Sequence, residues 1–161
     1  MFDYVTSDLH LGHDNIIKYC NRPFQSVEDM DSTLINNWNT TISTSDDVLF
    51  LGDLAMADKE QTITYFNKLN GNIVFIRGNH DEKKLNTEIH VYDSIEFTHN
   101  GIVYVCTHRP EHPRNQTIKH IICMDTRTTM KLMPTRSGIP IIRLLTSQLN
   151  LHIINQSHLA K

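Results

Sequence analysis

The chain has 161 residues, 39% hydrophobic and 20% charged, which suits one globular domain with a buried core. A formal net charge of −3 argues against a nucleic-acid-binding module and a stable nucleic-acid partner, although a local metal site could still draw a nucleotide. Three widely spaced cysteines (Cys20, Cys106, Cys123) make no CxxC pair, the N-terminus lacks the basic start of a signal peptide, and no apolar run spans a bilayer, so the expected compartment is the reducing cytoplasm.

The elements follow in chain order. Phe2 to Thr6 reads as a short buried strand that stops before Ser7-Asp8. Asn15 to Tyr19 is a helical turn or two. Ser26 is placed to cap a longer helix, with Asp29 three residues on as in a capping box. Met30, Leu34, Ile35 and Trp38 repeat at helical spacing, so that face, Trp38 included, belongs to the core. Val48 to Leu51 is a second strand, ended by Gly52-Asp53. Asp58 to Leu69 is predicted as a helix, stopped by Asn70-Gly71. Ile73 to Ile76 is a third strand, running into Arg77-Gly78-Asn79-His80-Asp81. A hairpin follows, Ile95 to Thr98 and Ile102 to Cys106, turning at Asn100-Gly101 because both residues tolerate positive φ. Its second strand ends at Thr107-His108. Strands alternating with helices predict a layered α/β domain.

Four polar clusters sit where these strands end: Asp8-Leu9-His10, Gly52-Asp53, Gly78-Asn79-His80-Asp81 and Thr107-His108. In open α/β sheets the ligand crevice lies outside the carboxyl ends of the strands, so the topology can gather Asp8, His10, Asp53, Asn79, His80 and His108. Carboxylate, amide and imidazole without thiolate suit manganese, iron or zinc. Asp8 and His10, two apart, would point to one side if the backbone stays extended. The glycines before Asp53 and Asn79 allow tight turns and close backbone approach. Most of the ten histidines need no role beyond the surface. Arg22, Arg77 and Arg109 could each grip a phosphate or simply carry surface charge.

This series of motifs resembles the calcineurin-like metallophosphoesterase superfamily, and Ser7-Asp8-Leu9-His10-Leu11-Gly12-His13 with Asn15-Ile16-Ile17 resembles its small bacterial and phage phosphoesterases. The resemblance covers about residues 1–113. It implies a layered β-sheet sandwich flanked by helices that hydrolyses phosphate mono- or diesters, nucleotides among them. It also implies two divalent ions, manganese first and iron or zinc as alternatives, with a bridging hydroxide. Asp8 and His10 would bind the first ion, Asp53 would bridge, and Asn79 and His108 would bind the second. His80 would act on the scissile phosphate, and Asp81 would orient it. His13 and Arg109 would touch substrate.

The family closes its site with Gly-His-x-His, and this chain has no such motif. Residues 114–161 therefore read as an atypical tail, leaving the fold incomplete at its C-terminus. Read from the third base of each codon, Met124-Asp125 forces glycine, and the next codons through Thr128 permit His-Thr-His. The expectation is a frameshift beginning between about residues 109 and 121. His112, His120, His152 and His158 are the histidines left to replace the missing ligands, and no spacing favours any of them. The competing reading is a metal-binding or scaffold protein of the same fold with impaired catalysis.

Overall fold

The computed structural model describes residues 2–83, 85, 86, 88–99, 102–109, 120–122 and 142–143. Strands β1 (Tyr4–Thr6), β2 (Asp47–Phe50), β3 (Asn72–Ile76) and β4 (Val91–Tyr92) run parallel and pair in that order. Tyr4 faces Val48, Val48 faces Ile73, and Phe75 faces Val91. A second sheet holds β5 (Ile95–His99), β6 (Ile102–Cys106) and β7 (His120–Ile122), with β6 in the middle. Strand β8 (Ile142–Arg143) pairs antiparallel with β1 at the edge of the first sheet.

Parallel strands covered on both faces are apolar throughout, and successive side chains serve opposite layers. Tyr4, Val48, Phe50 and Phe75 join helices α1 (Asp14–Tyr19), α2 (Val27–Thr41) and α3 (Lys59–Phe66) in one core. Val5, Leu49, Leu51 and Ile76 point the other way and pack on Tyr104 and Cys106 of β6. The order of layers is helices, first sheet, second sheet. Trp38 is fully buried and its ring lies 6.0 Å from that of Phe50, which lies 5.4 Å from Phe75. The indole Nε1 donates to the carbonyl of Asn70 at 2.9 Å, so the one polar atom of that ring is satisfied.

Capping is as expected in α2, where Ser26 Oγ accepts from Asp29 N at 3.2 Å. The return bond differs: the Asp29 carboxylate reaches Gln25 N, one residue short of a closed capping box. Asp58 caps α3 by accepting from Gln61 N at 2.8 Å. That helix ends at Phe66, earlier than Leu69, because Lys68 and Leu69 bond to carbonyls three residues back and tighten the chain. The hairpin register, His99 opposite Ile102, agrees with a two-residue connection; its Asn100-Gly101 turn lies outside the described residues. Two strands fall in the tail, where no ordered element was expected. Strand β7 extends the second sheet and β8 covers part of the β1 edge.

Candidate metal centre

The loops that leave β1, β2, β3 and β6 converge at one end of the first sheet. The first two are laced together beyond the strands. Asp8 N donates to Gly52 O at 2.9 Å, His10 N to Asp53 O at 3.0 Å and Leu11 N to Leu54 O at 2.9 Å. Asp8, His10 and Asp53 all take left-handed backbone, with φ of 58°, 54° and 58°. This corrects the expectation of an extended Asp8–His10 segment. Two left-handed residues flank Leu9, whose side chain is buried in the helix-side core. Asp tolerates this conformation better than most residues, and such strain persists only where surroundings over-determine it.

Gly52 and Gly78 bring the second and third loops into backbone contact. A Cβ on Gly52, whose φ is +99°, would lie 2.4 Å from Gly78 N. A Cβ on Gly78 would lie 2.1 Å from Asp53 Oδ1. The Asp81 carboxylate ties the same junction, accepting from Gly78 N (2.7 Å), Asp53 N (2.6 Å) and Leu54 N (2.9 Å). Burial pushes the Asp81 carboxyl above the usual carboxylate range, and those three donors pull against it. Asp81 was expected to orient the His80 ring. Among the described hydrogen bonds it grips backbone instead, because two loops must be held together where glycine leaves no side chains to pack.

The ligand-type atoms of Asp8, His10 and Asp53 lie within 4.8 Å of one another, and all three residues are buried. His10 Nε2 is 3.5 Å from Asp8 Oδ1 and 3.7 Å from Asp53 Oδ2. Asp53 Oδ2 is also 3.5 Å from His108 Nε2 and 4.0 Å from His80 Nε2. His108 Nε2 lies 3.2 Å from Asn79 Oδ1, while its Nδ1 donates to the carbonyl of Leu51 at 2.7 Å. A carbonyl can only accept, so that bond places the proton on Nδ1 and turns the Nε2 lone pair toward Asp53 and Asn79. Asp53 thus lies near both the Asp8–His10 pair and the His108–Asn79 pair. His80 stands exposed at the mouth, its backbone N held by Asp53 Oδ1 at 3.0 Å.

A cation fits this donor set. Ser7 Oγ donates to Asp8 Oδ2, yet Asp8 Oδ1 and both nitrogens of His10 are buried with no hydrogen-bond partner among the described residues. Leaving such groups bare costs about 1–3 kcal/mol each. Carboxylate and imidazole edges that converge without bonding one another are what an oxygen- and nitrogen-liganded divalent ion would satisfy.

The periphery sorts the remaining candidates. The His13 ring lies 5.7 Å from His10 and 6.4 Å from His80. Burial, then the neighbouring His10, His80 and Arg22, hold its pKa below the ordinary histidine value. Arg109 donates to Asn79 Oδ1 at 2.8 Å. It borders a cleft of about 380 Å³ whose walls include Arg77, Asn79, Asp93, Thr107 and His108. Arg77 is paired with Asp93 at 2.6 Å. Arg22 is no surface charge. Its Nη1 and Nη2 donate to the carbonyls of Leu9 (2.7 Å) and Asp8 (2.8 Å). Asp31 was not singled out by its sequence, apart from the missing apolar character at a buried position of α2. It accepts from Gly12 N at 3.0 and 3.1 Å and from the Tyr65 hydroxyl at 2.7 Å. Burial raises its carboxyl above the usual range, and burial followed by Asp31 pushes Tyr65 up to about 12.

Fold and site together define a layered α/β protein with a candidate oxygen- and nitrogen-liganded metal centre at its strand ends. The sequence matches the family model described as calcineurin-like phosphoesterase over residues 4–146, and the chain belongs to that family. It is 46% identical over 110 residues to an uncharacterized protein of Methanocaldococcus jannaschii, a match covering 67% of this chain and 58% of the relative. It is 31% identical over 81 residues to the Gene 66 protein of Mycobacterium phage L5, covering 48% of this chain and 39% of that one. The chain therefore spans little more than half the length of these relatives, or less. A crystal structure of a protein of unknown function from Aquifex aeolicus superposes with a TM-score of 0.54 at 25% identity. That match covers 70% of this chain and 63% of the other. Among the described residues, no helix is long and apolar enough to cross a membrane.

Proposed function

We propose that the chain hydrolyses phosphate mono- or diesters, nucleotides among them, with two divalent ions, manganese foremost and iron or zinc as alternatives. The observation that carries this reading is Asp53 Oδ2, set 3.5–4.0 Å from three imidazoles with Asp8 and Asn79 on either side. Asp8, His10 and Asp53 would hold one ion, and Asp53, Asn79 and His108 the other. Bound there, the ions supply charge neutralisation at the phosphoryl oxygens and hydroxide near neutral pH. His80, exposed at the mouth, is placed to hand a proton to the leaving oxygen. His13, kept neutral by burial and by its neighbours, would meet the phosphate as an uncharged donor. The exposed Arg109 guanidinium beside the cleft would take a second phosphate oxygen. Asp81 would keep the Asp53 and Asn79 loops in register. Free Cys20 and Cys106 support a cytoplasmic setting.

The second reading, a metal-binding protein of this fold with impaired turnover, is favoured by the missing Gly-His-x-His. We attribute that absence to a shifted reading frame in the tail. Resequencing the gene decides it: no single-base change that opens a frame with Gly-His-x-His would end the idea. Function is tested by hydrolysis of an aryl phosphodiester with and without manganese, alongside Asp53→Asn. Manganese-dependent turnover that drops by two orders of magnitude or more in the variant supports the enzyme. Manganese binding without turnover supports the second reading.

A further inference from the structure

The loop from Asp8 to Gly12 is held from beneath at two points, and neither hold touches a ligand atom. On one side the Arg22 fork spans consecutive carbonyls, those of Asp8 and Leu9. Its Nη1 also lies 3.4 Å from Met30 Sδ, which sets the guanidinium against α2. On the other side Asp31, also on α2, takes Gly12 N with both carboxylate oxygens and is itself held by the Tyr65 hydroxyl. A cation thus serves the loop's acceptors and a carboxylate serves its donor. Between the two points lie the left-handed residues Asp8 and His10, with φ of 58° and 54°, and Gly12 follows at 75°. Left-handed backbone at non-glycine residues relaxes unless its surroundings hold it.

Among the described contacts Arg22 makes no ion pair with the Asp8 carboxylate, where it would compete with a metal ion. It binds that residue's main-chain oxygen instead. Asp8 Oδ1 and both His10 nitrogens are buried without a hydrogen-bond partner among the described residues. We infer that Arg22 is a positioning residue for the metal centre: its fork on the Asp8 and Leu9 carbonyls holds the strained loop so that the Asp8 and His10 ligand atoms converge free of protein partners. This rests on the metal-centre reading above. A guanidinium suits the task because its planar fork meets two carbonyls at once, whereas an ammonium offers a single point charge.

The test is manganese affinity, measured calorimetrically on the full chain for wild type, Arg22→Ala and Arg22→Lys, at a temperature where melting curves show each folded. Removing a group that orients metal ligands from outside the coordination sphere weakens affinity by about 10–100-fold. Arg22→Ala is expected in that range, Arg22→Lys in between, and added methylguanidinium is expected to return part of the affinity to Arg22→Ala. A purely structural arginine would lower the melting temperature and leave the dissociation constant within about twofold of wild type, and that result overturns the inference. Should Arg22→Ala fail to fold, Arg22→Lys decides on the same criterion. A wild-type chain that takes up no manganese, iron or zinc sinks the metal-centre reading itself and the role of Arg22 with it. Metal uptake that is indifferent to Arg22 sinks only the latter.

Discussion

Gly52 and Gly78 stand where two of the loops that carry candidate ligands meet backbone to backbone. Adding a methyl at Gly78 sets it 2.1 Å from Asp53 Oδ1 and 2.3 Å from Asp53 N, so Asp53 or the whole turn must move. Overpacking of this kind costs about 1–3 kcal/mol and sometimes more. Gly78→Ala is expected at or above the top of that range, seen as a lower urea midpoint with an unchanged slope. A midpoint equal to wild type would mean the loops part freely. The glycines were legible as turn residues, since each precedes a polar cluster after an apolar run. Their contact with each other was not, because it depends on two strands pairing 25 residues apart, Asp47 with Asn72. The ligand types were legible for a similar local reason: they stand at strand ends. The left-handed backbone of Asp8 and His10 was hidden, because the contacts that accompany it come from Arg22 and from the neighbouring loop, distant in sequence from residues 8–10.

Element existence followed from periodicity wherever one element owned its pattern. Helix α2 shows this best, with Met30, Leu34 and Trp38 all buried and Ser26 at its start. Its two ends of the energy scale can be measured in one helix. Ser26→Ala removes the cap to Asp29 N and is expected to cost about 1 kcal/mol. Trp38→Ala empties a site between Phe50 and the Asn70 carbonyl and is expected to cost about 3–5 kcal/mol. Equal losses in thermal or urea unfolding would contradict this account of the helix. Strand β4 escaped the sequence reading because two residues, Val91 and Tyr92, carry no alternation. Strands β7 and β8 escaped for the same reason. At three and two residues they are defined by the partners β6 and β1, not by their own composition.

At the scale of the molecule, the buried atoms of Asp8 and His10 that lack hydrogen-bond partners among the described residues are where a bound ion would add stability. An ion that binds only the folded chain stabilises it by mass action, about 2.7 kcal/mol at 100 times its dissociation constant. Manganese is therefore expected to raise the melting temperature by several degrees, and a chelator to reverse the gain. Asp53→Asn is expected to shrink this response sharply. No rise in wild type would mean that the cluster is satisfied in some other way.

The layering also sets the order in which the site can come into being. Asp8 and His108 lie 100 residues apart in the chain, yet both belong to the same cluster around Asp53. A ribosome adding about 5–20 residues per second separates their synthesis by roughly 5–20 s. Within that interval helices α1–α3 and β2, the sheet partner of β1, are made, whereas β6, which leads to His108, comes only at its end. Asp8, His10 and Asp53 can therefore come together before His108 is made, so the two halves of the cluster assemble one after the other.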